Sequence, residues 1–544
     1  MATQSDVVDV HPTLLHRAGS TARPDSKDPD SKSVVSDDVE GKVVHDTASI
    51  ETELPQGRSL GVFSAALLIV NRVVGTGVFA TTSTILSQSG SVGMSLLWWV
   101  IGAIIAGLGF AVYAEFATAI PRNGGEINYV QHAYRKPRYL VSAMYAAQAL
   151  LLGQAAGNAF TAGKYFLQAG NGEYTQWSAR AIGVGVLLAA LIMHGTMLKW
   201  GLRFQNLIGS FKLVILLVIS LSGFAALAGH RRIPDPRNFD NAFQGSRSDV
   251  FGIGSAAYNA IWSYVGFSNM FYALGEVKNP KRTILVAGPL ALSLITILYV
   301  LTQVAYFAAV PREDILGSEQ IIAKLYFENV FGPRSAKALS VFVALSAVAN
   351  VFSVVFAQGR LNQALGRDDL IPFAKLFASN RPFNAPLTGI SWHVIVTLII
   401  LLAPPAGDAY SFVLNLSSYP LNVVNLAVGL ALVLTYLPER FRPQWAHDWH
   451  PPFRASLIVT LLFTLVSLFL VVVPWLPPRR ASEAVYEDLW YAMAPAVSLA
   501  IFALGAAWWL LRWQILPSVG HYRLQPTQNT LSDGTVITEF VKVR

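Results

Sequence analysis

Two apolar segments of this sequence contain glycine and small polar residues near their centres. The first is the run 73–79, with Gly75-Thr76-Gly77 at its middle, and the second is the run 260–269. Each glycine costs about 1 kcal/mol of helix propensity against alanine. A break there would leave free C=O groups on one half-helix and free N–H groups on the next. Such N–H groups bind carboxylates, and carbonyl oxygens accept from ammonium groups, so the pair suits a zwitterionic amino acid.

Each interruption also has a purely structural interpretation. Small residues allow close helix contacts, and serine or asparagine side chains form hydrogen bonds between helices. The two interruptions, however, lie five apolar segments apart, and an odd offset inverts the second unit relative to the first. Corresponding broken helices in two inverted halves are typical of a transport site at the bilayer midplane. This coincidence favours a substrate site at the two interruptions over a purely structural role.

Lys212 is the most informative charge in the apolar part of the chain. It lies inside the fifth apolar segment, and a lysine there is expensive and functional by default. We interpret it as a proton or cation site; the alternative is a lysine near a helix end that extends to the interface. Other polar residues inside apolar segments are further candidates for lining the site or relaying protons: Glu115, Asn158, Ser268 and Asn350.

The composition of the chain indicates the class of protein in which these residues lie. Of 544 residues, 53% are apolar and only 13% are charged, whereas soluble domains carry about 25% charge. This excludes a soluble enzyme, a disordered scaffold and a nucleic-acid binder. The chain has no cysteine, so disulfides, thiolate metal sites and a disulfide-linked subunit are excluded. With no paired intramembrane acids or hydrolase motif, we predict no enzyme activity, no cofactor and no metal.

The apolar segments predict an all-α membrane protein with twelve transmembrane helices, because each crossing needs about 20 residues. They lie near 60–87, 92–119, 138–168, 178–197, 206–229, 251–275, 284–309, 334–362, 387–403, 409–436, 455–474 and 489–511. We expect one repeat at about 60–229, a second at about 251–436, and two extra helices at about 455–511. All three lie in a transporter domain spanning 59–512.

The remaining residues form two tails. Residues 1–58 carry eleven acids and six bases and no lasting hydrophobic period, which predicts a disordered tail. Residues 513–544 offer no clear motif. An even number of crossings puts both ends on one side, and the loops on that side hold more bases, such as Arg122, Arg135 and Lys136. The positive-inside rule therefore places both termini in the cytoplasm.

Three motifs carry a family resemblance. Residues 73–79, Pro121-Arg122-Asn123-Gly124-Gly125-Glu126 and Gly275-Glu276-Val277-Lys278-Asn279-Pro280 resemble motifs of the amino acid–polyamine–organocation superfamily. The longer run from Asn71 to Leu86 is similar to the fungal high-affinity methionine permeases, within the L-type amino acid transporter branch. The resemblance implies a leucine-transporter-like 5+5 inverted repeat, with helices 1 and 6 broken, plus two C-terminal helices.

The resemblance also implies roles for individual residues. The substrate carboxylate would sit on the first break, and the amino group on carbonyls of the second. Trp262 would be an aromatic gate, and Lys212 would replace a sodium ion found in relatives. Val265 stands where relatives often have glycine, which implies a narrower pocket. The implied substrate-binding residues are Val73, Gly75, Thr76, Gly77, Ile261, Trp262 and Val265.

The function implied is import of neutral L-amino acids, methionine first, by proton symport and alternating access in the plasma membrane. The partners are the amino acid, a proton and membrane lipids. Two alternatives stay open: an exchanger of large neutral amino acids, and a nutrient receptor without net flux. Lys27, Lys32 and Lys42 lie among acids and serines, which resembles the tails that bind ubiquitin-ligase adaptors in fungal permeases.

Overall fold

The computed structural model describes residues 60–170, 175–318, 322–404, 409–478, 486 and 488–544. The predicted tail 1–58, with the three lysines just named, lies outside the described residues.

The first half of the described chain is almost entirely helical. Its helices are α1 Val62–Val73, α2 Gly77–Ala80, α3 Thr82–Ser89, α4 Val92–Ala119, α5 Glu126–Ala133, α6 Leu140–Leu151, α7 Ala156–Ala169, α8 Gln176–Thr196 and α9 Leu198–Leu227.

The second half continues the pattern. It comprises α10 Val250–Ser263, a 3₁₀ helix Asn269–Glu276, α11 Pro280–Ala309, α12 Arg312–Gly317, α13 Ile322–Phe331, α14 Pro333–Arg367, α15 Ala374–Ala378, α16 Leu387–Leu402, α17 Ala409–Leu434, α18 Gln444–His447, α19 Leu457–Val472, α20 Met493–Trp509, a π helix Leu510–Ile515 and α21 Leu516–Gly520. Short 3₁₀ turns, Glu439–Phe441 and Val473–Trp475, flank α18 and α19.

Ten described segments are long and apolar enough to cross a membrane. The other two predicted crossings correspond to shorter pieces. Segment 251–275 forms the 14-residue α10 and then the 3₁₀ helix, because the chain unwinds after Ser263. Segment 387–403 forms the 16-residue α16. At 1.5 Å per residue, neither helix alone spans the roughly 30 Å of hydrocarbon, so the adjoining turns must complete each crossing.

A third interruption was not predicted. Segment 138–168 was expected to be one helix, but α6 ends at Leu151 and α7 begins at Ala156. Gly153 lies in the gap, and a Cβ there would come within 2.6 Å of the Cα of Thr397. The glycine therefore lets this unwound turn pack directly on the backbone of α16.

The helices differ in how deeply they are buried. The most apolar windows of α1–α2 and of α14 are 83% and 78% buried, whereas those of α19 and α20 are only 33% buried. Leucines such as Leu461, Leu465 and Leu468 on α19 are exposed, as expected where the solvent is lipid. The broken first helix and α14 therefore lie at the centre of the bundle, and α19 and α20 lie at its edge.

The C-terminal segment 513–544, for which no motif was predicted, contains a β-hairpin. Strand β1, Arg523–Thr530, pairs antiparallel with β2, Val536–Val543. The Asp533 carboxylate in the turn accepts from the backbone N–H of Asn380 at 2.7 Å. Lys375 of α15 forms an ion pair with Glu539 of β2 at 2.7 Å. The hairpin therefore docks on the connection between α14 and α16, and all-α describes only the membrane portion.

We expect Asp533→Asn to loosen this hairpin. Desolvation opposes ionisation, but hydrogen bonds from Asn380 and Thr535 hold the pKa of Asp533 at about 2. Because the pKa of Asp533 is lower in the folded protein, its ionised carboxylate stabilises docking at pH values above the ordinary pKa of 3.8. That contribution is lost only as the pH falls through about 2. The variant should therefore speed hydrogen exchange in both strands about fivefold, a loss of roughly 1 kcal/mol, at pH 5 and at pH 7 alike. Unchanged protection would contradict the docking role.

Candidate functional site

The two helix interruptions touch each other at the centre of the bundle. A Cβ on Gly77 would lie 2.8 Å from the Cα of Ser263, so only glycine allows this approach. The hydroxyl groups of Thr81 and Ser263 lie 3.0 Å apart, within hydrogen-bond distance. The start of α2 is thereby fixed against the end of α10.

Lys212 of α9 holds the end of α1. Its Nζ donates to the carbonyl oxygens of Asn71 at 2.9 Å and Val74 at 2.6 Å. The side chain is only 1% exposed. A helix leaves its last carbonyls without intrahelical partners, and a cation at that end is favourable. The predicted proton or cation site is thus in direct contact with the first interruption.

Two further side chains complete the hydrogen bonds at this helix end. The Tyr299 hydroxyl donates to the Val73 carbonyl at 2.8 Å. The Asn350 amide Nδ2 donates to the Arg72 carbonyl at 2.5 Å. Three helices, α9, α11 and α14, therefore supply donors to the four consecutive carbonyls 71–74.

The N–H side of the first interruption is occupied by a side chain. The Thr76 N–H donates to Asn158 Oδ1 at 3.2 Å. A Cβ on Gly75 would lie 2.7 Å from Asn350 Nδ2 and 3.0 Å from Asn158 Oδ1. A carboxylate bound to Thr76 would have to displace Asn158, which lies in α7, after the unpredicted break in the third span. The two asparagines predicted as weaker candidates thus flank the break.

The second interruption is a turn. The carbonyls of Ile261 and Trp262 accept at 3.0 Å from the N–H groups of Tyr264 and Val265, and each keeps a second lone pair for an ammonium group. Trp262 packs against a cluster that includes Tyr258. The predicted binding carbonyls are therefore present at the break, with the predicted gate beside them.

Two cavities border the interruptions. The larger, about 360 Å³, lies along α3, α10 and α17 and has polar walls that include Ser83, Asn259 and Asn415. Tyr258, against which Trp262 packs, also lines it. The smaller, about 30 Å³, lies beside the turn after α10 and is lined by residues of five segments: Arg72, Gln154, Val265, Gly266, Ser268, Tyr272 and Gln358.

Comparison with known proteins identifies the family. A model of the amino acid permease family matches residues 60–502. The chain belongs to this family. The permease is 44% identical over 90% of its length to the high-affinity methionine permease of Saccharomyces cerevisiae, covering 86% of that protein. It is a transporter, not an enzyme.

Two more distant relatives are also named as amino acid transporters or permeases. The permease is 29% identical to the low-affinity methionine permease of Saccharomyces cerevisiae, over 93% of its own length and 92% of the relative's. It is 28% identical to the human b(0,+)-type amino acid transporter 1, over 79% of its own length and 86% of the relative's.

Glu115, predicted as a possible proton relay, lies elsewhere in the permease. Its two carboxylate oxygens accept from Trp449 Nε1 at 2.9 Å and from the N–H of Ala455 at 2.8 Å. These bonds hold the segment before α19 against α4. Glu115 therefore links α4 to the segment before α19 and lies away from the two interruptions.

Sequence reasoning missed Arg72 and Tyr299 as site residues. Arg72 was visible as a charge inside the first apolar segment, one position before the quoted motif. Tyr299 gave no signal, since an aromatic residue in α11 does not reveal that its hydroxyl contacts a carbonyl 226 residues away. Both residues reach the first interruption or its partners through contacts between residues distant in sequence, and those contacts emerge only from the fold.

We expect Tyr299→Phe to destabilise the permease by about 1–2 kcal/mol, because the buried Val73 carbonyl loses its side-chain donor. Tyr306→Phe is the matched control on the same helix, since the buried Tyr306 hydroxyl has no hydrogen-bond partner among the described residues. Thermal unfolding of the purified protein measures both. Equal effects of the two substitutions would contradict the assigned hydrogen bond.

Proposed function

We propose that this permease imports neutral L-amino acids, methionine first, by proton symport with alternating access. Amino acid transport follows from the family, and methionine is favoured because the 44% identical relative is named as a high-affinity methionine permease. Proton coupling goes further, and the two hydrogen bonds from Lys212 to the carbonyls at the end of α1, beside the first interruption, carry it.

Lys212 connects a proton to the conformation of the broken helix. As an ammonium group it donates charge-assisted bonds to two carbonyls, and such bonds are roughly twice as strong as neutral ones. Release of the proton would weaken its hold on Asn71 and Val74 and loosen α1 from α9. Proton occupancy and the position of the first half-helix are therefore linked, as a symporter requires.

The proposed architecture is twelve crossings in a 5+5 inverted repeat with two extra helices. The paired interruptions at α1–α2 and after α10, five crossings apart, support it. The broken sixth crossing, with the 14-residue α10, and the 16-residue α16 then both count as crossings. Both termini would be cytoplasmic and the protein would reside in the plasma membrane, where tail lysines could recruit ubiquitin-ligase adaptors.

The walls of the two cavities favour a neutral substrate. No aspartate or glutamate is among the described residues that line either cavity. A cationic side chain would lose its hydration without gaining a carboxylate partner, at a cost of several kcal/mol. The Thr76 and Gly77 amides would hold the substrate carboxylate, and the Ile261 and Trp262 carbonyls its ammonium group.

A proton gradient is sufficient to drive accumulation. One proton contributes about 1.4 kcal/mol per pH unit and about 2.3 kcal/mol per 100 mV. Two pH units and 100 mV give about 5 kcal/mol, or three to four decades of substrate gradient.

Proteoliposomes with an inward proton gradient test the proposal. Labelled methionine should accumulate above its external concentration, and a protonophore should abolish the accumulation. Uptake that ignores the gradient but requires internal amino acid would replace symport by exchange. Saturable binding with neither kind of flux would replace transport by a receptor function.

A further inference from the structure

Arg72 is a buried cation without an acidic partner. It is 8% exposed, and its guanidinium donates to Asn350 Oδ1 at 3.3 Å and to Gln154 Oε1 at 3.1 Å. None of the ion pairs among the described residues includes it. An uncompensated charge at this depth is costly and is usually kept for a ligand or a partner.

The guanidinium lies next to the first interruption and faces the smaller cavity. Asn350, which accepts from Arg72, also abuts Gly75, so one side chain connects the guanidinium to the break. Arg72 lines the cavity together with Ser268, Tyr272 and Gln358. A guanidinium carries five N–H donors, and the hydrogen bonds to Asn350 and Gln154 leave several of them for another acceptor.

The described residues that line the cavity contain no aspartate or glutamate. The buried carboxylate of Glu126 lies behind this wall, where it accepts from Tyr272 at 3.0 Å and from Tyr145 at 3.2 Å, and it is not among the described hydrogen-bond partners of Arg72. A planar guanidinium binds a carboxylate through two parallel hydrogen bonds, a geometry that neutral amide oxygens do not reproduce. The missing counter-charge at this position is therefore best supplied by an anionic group that enters the cavity.

We propose that Arg72 recognises the carboxylate of the amino acid as it passes from the first interruption into the smaller cavity. This rests on the proposed function, and it adds a full positive charge to a site whose other carboxylate ligands are backbone N–H groups. At about 30 Å³ the cavity holds only water in this conformation. The contact therefore forms when the turn after α10 moves and the cavity widens.

The alternative is that Arg72 has only a structural role, here called a strut. Its side chain connects α1 to α14 and to the unwound turn between α6 and α7, and such a connection could serve stability alone. If Arg72 is only a strut, its replacement affects the binding of all ligands alike. A carboxylate-binding residue distinguishes methionine from methioninol, which has the same side chain and ammonium group but no carboxylate.

Equilibrium binding to the purified full chain separates the two roles. Tritiated methionine is displaced by unlabelled methionine or by L-methioninol, in wild type, Arg72→Gln and Arg72→Lys. If wild type prefers another neutral amino acid from a tested panel, that amino acid and its amino alcohol are used, so an error in the proposed substrate does not affect the test. Arg180→Gln is the control, since Arg180 is a buried arginine that donates to the Leu402 and Pro404 carbonyls and lines neither cavity described.

The proposal predicts a change in ligand preference. Arg72→Gln should weaken methionine binding about ten- to hundredfold, the range for a hydrogen bond to a charged group. Methioninol, itself a cation, should bind the variant as well as or better than wild type, and Arg72→Lys should lie between the two. A parallel loss for both ligands, as a strut predicts, or unchanged methionine affinity would overturn the proposal. Arg180→Gln should keep the wild-type preference whatever its stability.

Discussion

Replacing Lys212 with methionine is expected to reduce methionine uptake at least about 30-fold and to uncouple the remaining flux from the proton gradient. Methionine fills a similar volume but donates no hydrogen bond, so the Val74 carbonyl loses its side-chain donor and the Asn71 carbonyl keeps only the longer hydrogen bond, 3.4 Å, from Asn350 Nδ2. A buried acceptor left without a partner costs about 1–3 kcal/mol. The middle of this range, about 2 kcal/mol, corresponds to the 30-fold loss.

The measurement is methionine uptake into proteoliposomes, with and without an inward proton gradient. Lys199→Met is the matched control, because Lys199 lies in the first turn of the same helix and is exposed. It should keep both the rate and the response to a protonophore. If Lys212→Met folds and still accumulates methionine against its gradient, Lys212 is not the proton site.

An intermediate result would also be informative. Lys212→Met could lose accumulation but retain exchange of internal for external methionine. In that case the substrate site survives and only the driving step fails, which is expected if the lysine carries the proton. If exchange is lost as well, the role of Lys212 is to hold the interrupted first helix in place.

The sequence was most informative where it departs from the pattern of a membrane helix. Gly75, Gly77 and Gly266 interrupt apolar runs, and the helices α1 and α10 end beside them. Lys212 stood out for the same reason, because a charge in an apolar segment requires an explanation. Such violations of local preference are visible in one sequence without any knowledge of tertiary contacts.

The partners of these residues were not predictable in the same way. Lys212 contacts carbonyls 138 and 141 residues away, and no local pattern specifies that pairing. The turn between α6 and α7 was missed because Leu152-Gly153-Gln154-Ala155 departs little from an apolar helix. One glycine there is tolerated at a cost of about 1 kcal/mol, and its packing on α16 decides the conformation.

The C-terminal hairpin shows a different limit. Strand β1 is mostly polar and β2 mixes apolar with polar residues, and only Ile537 and Phe540 of the two strands are buried. Phe540 packs against Trp513, at the start of the same C-terminal segment, and against Tyr139, which comes from a distant part of the chain. A two-stranded hairpin is at best marginally stable alone, so its formation depends on a surface that the sequence of the tail does not encode.

The second large effect is expected for Gly266→Ala, which should destabilise the permease by about 2–6 kcal/mol and abolish tight substrate binding. Gly266 has a φ of +119°, in the region that L side chains rarely adopt, and this strain costs about 1–3 kcal/mol. An added Cβ would also collide with the Arg72 side chain, and overpacking costs about 1–3 kcal/mol more. Thermal unfolding and methionine binding of the purified protein measure the two consequences.

Two further variants identify the cause. Gly107→Ala in α4 is the control, because no atom lies within 4 Å of the added Cβ, and it should be neutral or slightly stabilising through helix propensity. In Gly266→Ala with Arg72→Ala the closest contact, with the Cγ of residue 72, is removed, so part of the stability should return. The backbone strain and the tight contacts with the Cβ at 3.0 Å and the carbonyl carbon at 3.2 Å of residue 72 remain. If the double variant is no more stable than Gly266→Ala, the backbone alone requires glycine. If Gly266→Ala binds methionine like wild type, the turn after α10 does not shape the substrate site.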